Sequence, residues 1–487
     1  MNKGINRRLL VLVTIIALLL SGCSLAPKYS RPTAPIPDEW PQGPAYKKAE
    51  NIDDKTRVSD LKWEDFFVDS QLQKVINLAL ENNRDLRLAA LNMERAQALY
   101  GIQKAKLFPA VNAAAAGGRR RRSTDLLAPG ESPIVEQYGV NLGITAWEAD
   151  FFGRIRSLKD QALEAYLATD EARRGAQIAL VAEVAKVYLA LAADRENLLL
   201  AQSTLTTQQD AYGLVKKRFD VGIAAEIDLW RAQVPVETAR RNVAIYTQRV
   251  AQGKNALTLL AGNPVPDSLL PIDLSHVLPL RELSPNLTSS VLLQRPDILA
   301  AEHQLRGAYA FIGAARAAFF PRISLTTTFG TASNELSGLF SSGTKTWNFT
   351  PQIAMPIFDA RTWAAYRVSK ADQKISVTRY EKTIQTAFRE VADALAVQGT
   401  VDQQVSAQQS LVKAVAETYR LADRRYNQGL DSYLGVLDAQ RSLFSAQQVL
   451  VLLHLSKFTS QVQLYAVLGG GALETIDRNQ QTSLKEE

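Results

Sequence analysis

The second half of this chain is written over the pattern of the first. Asp85-Leu86 returns as Asp297-Ile298 and Leu107-Phe108-Pro109 as Phe319-Phe320-Pro321; Ala89, Ala96 and Ala105 return as Ala301, Ala308 and Ala317, all at an offset of 212. Further along, Glu183-Val184-Ala185 matches Glu390-Val391-Ala392 and Arg218-Phe219 matches Arg425-Tyr426. Gly222, Ala232-Gln233 and Gly262 match Gly429, Ala439-Gln440 and Gly469, now at an offset of 207. So many pairs in two registers define a tandem duplication, with one five-residue slip between Pro109 and Glu183.

Each half holds a long helical stretch. No proline falls between Ile155 and Phe219, and apolar residues recur every seven: Val184, Leu191, Leu198, Leu205, Tyr212, Phe219. The second copy gives Val391, Gln398, Val405, Val412, Tyr419, Tyr426. After Gly222 the spacing resumes as Leu229, Val236, Val243, Val250, Leu257, and its counterpart after Gly429 is Val436, Leu443, Leu450, Lys457, Leu464. A heptad period sustained this long predicts coiled-coil packing. At 1.5 Å per residue the first stretch alone would extend roughly 100 Å. Its successor must fold back beside it, because Asp220–Ala225 contains glycine and lacks the period. Pro235 sits inside the returning helix and should kink it.

Between the helical runs the period is two. Tyr138–Trp147 alternates Val140, Leu142, Ile144, Ala146 with Gly139, Asn141, Gly143, Thr145. Arg322–Phe329 does so through Ile323, Leu325, Thr327, Phe329; Trp347–Met355 through Trp347, Phe349, Ile353, Met355; and Pro109–Gly118 weakly through Val111, Ala113, Ala115. Strands of about ten residues are the length that crosses a bilayer in a tilted barrel. The first two are expected to be joined by a polar loop bearing Arg119–Arg122, a run that suits either a solvated loop or anionic lipopolysaccharide headgroups. The last two are joined by the Gly/Ser-rich Gly330–Thr346. Four strands cannot close a barrel and lipid does not tolerate an open sheet edge, so other copies of the chain must complete the wall: two copies give eight strands, three give twelve.

The N-terminus reads as an address. Lys3, Arg7 and Arg8 precede the apolar run Leu9–Leu20, too short to span a membrane, and then Ser21-Gly22-Cys23. A proline-rich arm follows (Pro27, Pro32, Pro35, Pro37, Pro41, Pro44), which should be extended. Composition narrows the chemistry. One cysteine excludes a disulfide framework or thiolate metal cage within the chain, and His276, His303 and His454 are never in ligand spacing. The formal charge of +7 over 487 residues is too thin to argue for nucleic acid, which is not an expected partner. No nucleophile–base pair is evident, so an enzyme is not expected.

Leu20-Ser21-Gly22-Cys23 resembles the bacterial lipobox, which implies cleavage before Cys23, a lipid on Cys23 in place of any cofactor and, with Ser24 next, sorting to the outer membrane. The chain as a whole resembles the TolC-like outer-membrane factor family, in its lipoprotein (OprM-like) branch. The residues that carry this are Leu25–Tyr29, Trp63 with Phe66-Phe67, Asn83–Leu86, Phe108-Pro109 and Phe320-Pro321, Phe152-Gly153-Arg154, and Arg425-Tyr426 with Gly429 followed by Leu434 and Leu437–Arg441. Ala26-Pro27-Lys28 and Asn427 depart from the branch pattern.

The resemblance implies a mixed α+β membrane protein: a homotrimer whose 12-stranded β-barrel is continued by a 12-helix coiled-coil periplasmic tunnel. It implies an outer-membrane exit duct of a tripartite efflux pump, lipid-anchored and reaching into the periplasm. The duct would pass small toxic compounds or drugs, with a periplasmic adaptor and an inner-membrane transporter as partners. A conduit for exported polypeptides would have the same fold; an adaptor lipoprotein would show one helical hairpin, not two. The expected division is a signal peptide at 1–22, a lipidated arm at 23–60 and two repeats before a polar tail at 471–487. The first repeat is 61–270 (β-hairpin 109–147, helical hairpin 155–262) and the second 271–470 (β-hairpin 322–356, helical hairpin 362–468). The family likeness further assigns Leu434, Asp438 and Arg441 to a pore gate, and Arg218, Phe219, Gly222, Arg425, Tyr426 and Gly429 to tips that meet the adaptor. On residues alone, an ordinary surface pair at i, i+3 is the favoured reading of Asp438 and Arg441, and it is the family likeness that turns it to a gate; the seven-spaced aromatics read as seam packing.

Overall fold

The structure, a computed structural model, describes residues 24–46, 61–278, 280–281 and 288–471. The signal segment, Cys23 and the tail after 471 lie outside the described residues. In chain order the helices and strands are α1 (Trp63–Phe66), α2 (Ser70–Asn82), α3 (Arg84–Ala105), β1 (Val111–Arg121), β2 (Ile134–Ala149), α4 (Arg154–Asp220), α5 (Glu226–Ala261), α6 (Pro296–Ala317), β3 (Arg322–Ser333), β4 (Lys345–Ala354), α7 (Ala360–Asn427) and α8 (Tyr433–Val467). The duplication is therefore one of structure. α3 and α6 have 22 residues each, α4 and α7 have 67 and 68, and α5 and α8 have 36 and 35. Helix α5 continues through Pro235.

The strands form one antiparallel sheet in the order β1-β2-β3-β4. Its register separates two faces. Ala113, Leu142, Phe329 and Trp347 form one row across the sheet, and the adjacent row is Asn112, Gly143, Thr328 and Asn348. Because side chains alternate along each strand, Val111, Tyr138, Val140, Ile144, Ile323, Leu325, Phe349 and Ile353 share the apolar face. Asn141, Ser324, Thr326, Thr350 and Gln352 share the polar one. A bulge between Ile144 and Trp147, with Ala146 at φ 51°, resets the pleat so that Trp147 pairs with Leu325 on the apolar face. Gly117 lies under the Tyr138 ring, where a Cβ would come within 2.8 Å. The outer edges of β1 and β4 face no fifth strand among the described residues, and both strands are exposed along their length.

Arg119, Arg120 and Arg121 are not loop residues: they belong to β1, paired with Glu136, Val135 and Ile134. The loop begins at Arg122, whose backbone N–H still donates to Pro133. The ladder satisfies the backbone whatever the side chains carry, so the charge run did not end the strand.

The heptad positions named above are all buried or half-buried, from Val184 and Leu191 on α4 to Val436 and Leu464 on α8. Helix α4 contains an 18-residue window of mean hydropathy 1.6, apolar enough for a membrane span, but 56% of it is buried within the chain. The starts of α2 and α4 are capped by carboxylates, whereas α1, α5 and α8 begin without a side-chain cap. Asp69 accepts from the backbone N–H groups of Gln71 and Leu72 at 2.8 and 3.0 Å, and Asp150 from those of Ile155 and Arg156.

Two compact units draw on both repeats. The first comprises Asn92–Thr169, Ala300–Tyr380 and the N-terminal arm up to Thr33. In it the arm docks on α6: the Leu25 carbonyl accepts from Arg316 at 3.0 Å, and Gly313 leaves room for Ala26, whose backbone N a Cβ would approach to 2.8 Å. Glu302, whose side chain is only 3% exposed, accepts from Tyr29, Arg31 and Arg306. Burial alone would raise its pKa, but these three donors outweigh it and hold the carboxyl below the usual range. Burial and the same carboxylate push the Tyr29 phenol up to about 12.

The second unit comprises Ala34–Leu91, Asp170–Leu299 and the chain from Glu381 onward. Phe66 stacks on Tyr465 at 4.3 Å, and the Tyr465 hydroxyl donates to the Leu61 carbonyl at 3.0 Å. Trp40 stacks on Phe388. A pair of ties in this unit repeats across the duplication. Asn83 Nδ2 donates to the Leu260 carbonyl at the end of α5 (2.9 Å). Arg295, at the equivalent position 212 residues on, donates from Nη1 to the Val467 carbonyl at the end of α8 (2.7 Å). Arg295 also holds Asp297 and Glu390 at 2.8 and 3.0 Å.

Candidate functional site

The two helix-to-helix turns are built alike. Helix α4 ends with the Gly222 N–H donating to the Phe219 carbonyl and the Ile223 N–H to the Arg218 carbonyl, both at 2.8 Å. Helix α7 ends with Gly429 donating to Tyr426 and Leu430 to Arg425, both at 2.9 Å. This is the Schellman arrangement, which needs a left-handed residue; Gly222 and Gly429 take it at φ 78° and 72°. The hydrophobe after each glycine ordinarily tucks back onto the helix. Here Ile223 is 78% exposed and Leu430 62%, so the turns present apolar side chains outward together with Val221, Ile227 and Leu434.

Behind the turns, Val215, Ala232, Tyr433 and Val436 form a small core with Tyr212, Tyr419, Ala422, Tyr426 and Leu437 packed on it, which joins the α4–α5 hairpin to the α7–α8 hairpin. Tyr426 and Tyr433 lie 5.0 Å apart between ring centres, and the Arg218 guanidinium sits 5.2 Å over the Tyr426 ring. Burial pushes the Tyr433 phenol up to about 12 and raises that of Tyr419. The heptad aromatics Tyr212, Tyr419 and Tyr426 are thus seam packing, while Phe219 is half-buried.

The charges form local pairs. Arg425 grips both oxygens of Asp431 through Nε and Nη2, at 2.5 and 3.1 Å, and holds that carboxyl below its usual range. Asp438 pairs with Arg441 at 2.8 Å, their side chains 58% and 82% exposed. Asn427 donates to Asp423 at 3.2 Å. The structure therefore brings Arg218 and Tyr426 together across the hairpins, keeps Asp438 with Arg441 on one helix, and leaves Leu434 half exposed.

Asp431, Tyr433, Ile223 and Leu430 were not singled out by sequence. The repeated Gly-Ile and Gly-Leu steps carried the signal for the last two. Beside the first turn, Trp230, Val234 and Thr238 with Gln233, Glu237 and Arg241 line an open depression of about 490 Å³ on α5. Among the described residues no group of three His, Cys, Asp or Glu comes together as a metal site.

A sheet apolar on one face and polar on the other, with two edges that meet no further strand among the described residues, joined to paired helical hairpins, defines a subunit of an outer-membrane channel. Comparison with known proteins gives the family. The outer membrane efflux protein family profile matches residues 75–263 and again 287–470, and the chain belongs to that family. It is 48% identical over 98% of both chains to the probable efflux pump outer membrane protein TtgC of Pseudomonas putida KT2440. It is 47% identical, again over 98% of both, to the toluene efflux pump outer membrane protein TtgC of a second Pseudomonas putida strain.

Among solved structures, a membrane protein from Pseudomonas aeruginosa superposes with a TM-score of 0.85 at 41% identity, covering 92% of this chain and 98% of that one. The open state of the Neisseria gonorrhoeae MtrE outer membrane channel does so with 0.82 at 37% identity, covering 92% and 99%. The protein is an outer-membrane efflux channel component extending into the periplasm.

Proposed function

We propose that three copies of the chain assemble into a twelve-stranded barrel that is the exit duct of a tripartite efflux pump. The observation that carries this is the four-stranded sheet with its two unpaired edges, which lipid does not tolerate. Three copies are favoured over two because an eight-stranded barrel is filled by its own side chains, whereas twelve strands leave a lumen. Cys23 carries the lipid anchor. The exposed apolar set at the turns (Val221, Ile223, Leu430), with Arg218 and Arg425 beside it, receives the tips of a periplasmic adaptor that links the duct to an inner-membrane transporter. Leu434, Asp438 and Arg441 narrow the pore. Cargo is small, apolar and toxic, in keeping with the toluene named for one relative.

Migration of unheated outer-membrane extracts tests the assembly: a heat-dissociable band at three times the subunit mass is expected, and a monomer overturns it. Deleting the gene should lower resistance to lipophilic drugs and solvents; an unchanged susceptibility panel removes the cargo assignment. Asp438→Ala should raise single-channel conductance in planar bilayers, and an unchanged conductance removes the gate.

A further inference from the structure

The run of arginines at the end of β1 is divided by the pleat. On β2 the apolar face runs from Tyr138 to Trp147, an aromatic residue at each end. That stretch, tilted as barrel strands are, covers about 20–25 Å of height, close to the apolar band of outer-membrane barrels with their aromatic girdles. Just past Tyr138, on the same face, come Glu136 and Ile134 of β2 with Arg119 and Arg121 opposite them on β1. Arg120 pairs with Val135 and lies on the polar face. This end of the strands carries the β1–β2 loop, and α3 and α4 join at the other.

With the helices in the periplasm, as the proposed function has it, Arg119 and Arg121 sit at the headgroup level of the outer leaflet and face lipid. Arg119 Nε is held by Glu136 at 2.9 Å, but its side chain remains 67% exposed, so the other guanidinium N–H groups are presented outward. Arg121 is exposed and makes no ion pair among the described residues. The two stand about 7 Å apart along the strand, close enough to address one phosphate together or two on the same headgroup. A guanidinium fork matches a phosphate.

We propose that Arg119 and Arg121 form a site on the barrel's outer wall for the phosphate groups of outer-leaflet glycolipid. Three such sites would encircle the trimer, one beside each open β1 edge, so bound lipid would lie against the subunit seams and tighten the assembly.

The test uses the purified full-length protein in detergent, read by the heat-dissociation midpoint of the trimer and by lipid affinity in native mass spectrometry. The probes are a bis-phosphorylated hexa-acylated lipid A, the same lipid without phosphates, and inorganic phosphate. Only the phosphorylated lipid should raise the midpoint. R119Q/R121Q should bind it about tenfold more weakly, the loss expected for charge-assisted hydrogen bonds, and R120Q, which removes the same kind of charge from the other face, should bind as wild type does. Equal binding by R119Q/R121Q, an equal effect of the dephosphorylated lipid, or an equal effect of free phosphate overturns the site. A wild type that runs as a monomer before any lipid is added overturns the trimer on which the site rests, whereas a trimer indifferent to lipid overturns the site alone.

Discussion

The two ties at the ends of α5 and α8 do the same job with different chemistry, and their removal should differ in size. Arg295 is only 9% exposed. Arg295→Met keeps most of the apolar stem and removes every donor. The Val467 carbonyl, bonded at 2.7 Å, loses its guanidinium partner at about 1–3 kcal/mol. The carboxylates of Asp297 and Glu390, at 46% and 33% side-chain exposure, recover part of their loss from water, so they add about 1 kcal/mol together. The sum is about 3 kcal/mol.

Asn83→Ala removes one neutral bond to the Leu260 carbonyl (2.9 Å) and the cap that Asn83 Oδ1 gives the Leu86 N–H (2.9 Å), about 1–2 kcal/mol. Urea unfolding in detergent, followed by far-ultraviolet circular dichroism, should therefore place the midpoint of Arg295→Met below that of Asn83→Ala, with Arg295→Lys between wild type and Met because an ammonium cannot fork. Equal midpoints for the Met and Ala variants, or a Met variant indistinguishable from wild type, would refute the reasoning.

Three further outcomes are expected. Gly262→Ala, at φ 70° and with its Cβ 2.3 Å from the Asn82 carbonyl oxygen, should lower the urea midpoint more than Gly222→Ala, which takes a similar φ with nothing within 4 Å; the latter should cost about 1 kcal/mol. The folded Glu302 carboxyl lies below its ordinary value near 4.5, so its contribution is present above that pH and lost as pH falls through the lower folded value. The stability gap between wild type and Glu302→Gln, measured as trimer melting against pH, should accordingly close on acidification, and a gap constant from pH 7 to 3 counts against the arm clamp. On the polar sheet face Arg120 and Arg322 are exposed while Glu148 is committed to Arg154 at 2.6 and 2.7 Å. Arg120→Gln should then move the reversal potential in a potassium chloride gradient toward cation preference, and no movement would mean that the barrel does not filter charge.

Much of this architecture was legible because its signals are periodic. Val140, Leu142 and Ile144 mark a strand by alternation alone, and the seven-spaced series from Val184 to Phe219 marks a seam, since both periods follow from backbone geometry. Arg119–Arg121 are the exception: four consecutive cations suggest a loop, while a β ladder asks only for backbone partners and an exposed face. The end of β1 has both. The equivalence of Asn83 and Arg295 was hidden for a different reason: the two align at the repeat offset, but an amide and a guanidinium share no sequence pattern, and only their acceptors, the Leu260 and Val467 carbonyls at matching helix ends, reveal it. At the turns the glycines were readable and the pairing of Arg425 with Asp431 was not, because a six-residue separation across a turn is set by the turn's own conformation.

The sheet order has a consequence for how the chain comes into being. β1 and β2 are a hairpin that can zip as soon as both are made, and so are β3 and β4. The contact that unites them, Leu142 beside Phe329 and Val140 beside Thr331, must wait for α4, α5 and α6 to be synthesised and exported. During that interval β2 carries a bare, sticky rim, and a slow long-range closure of this kind is where misfolding competes. A cell making this protein therefore has to shelter a half-finished panel in the periplasm, and the interval grows with every residue inserted into the first helical hairpin.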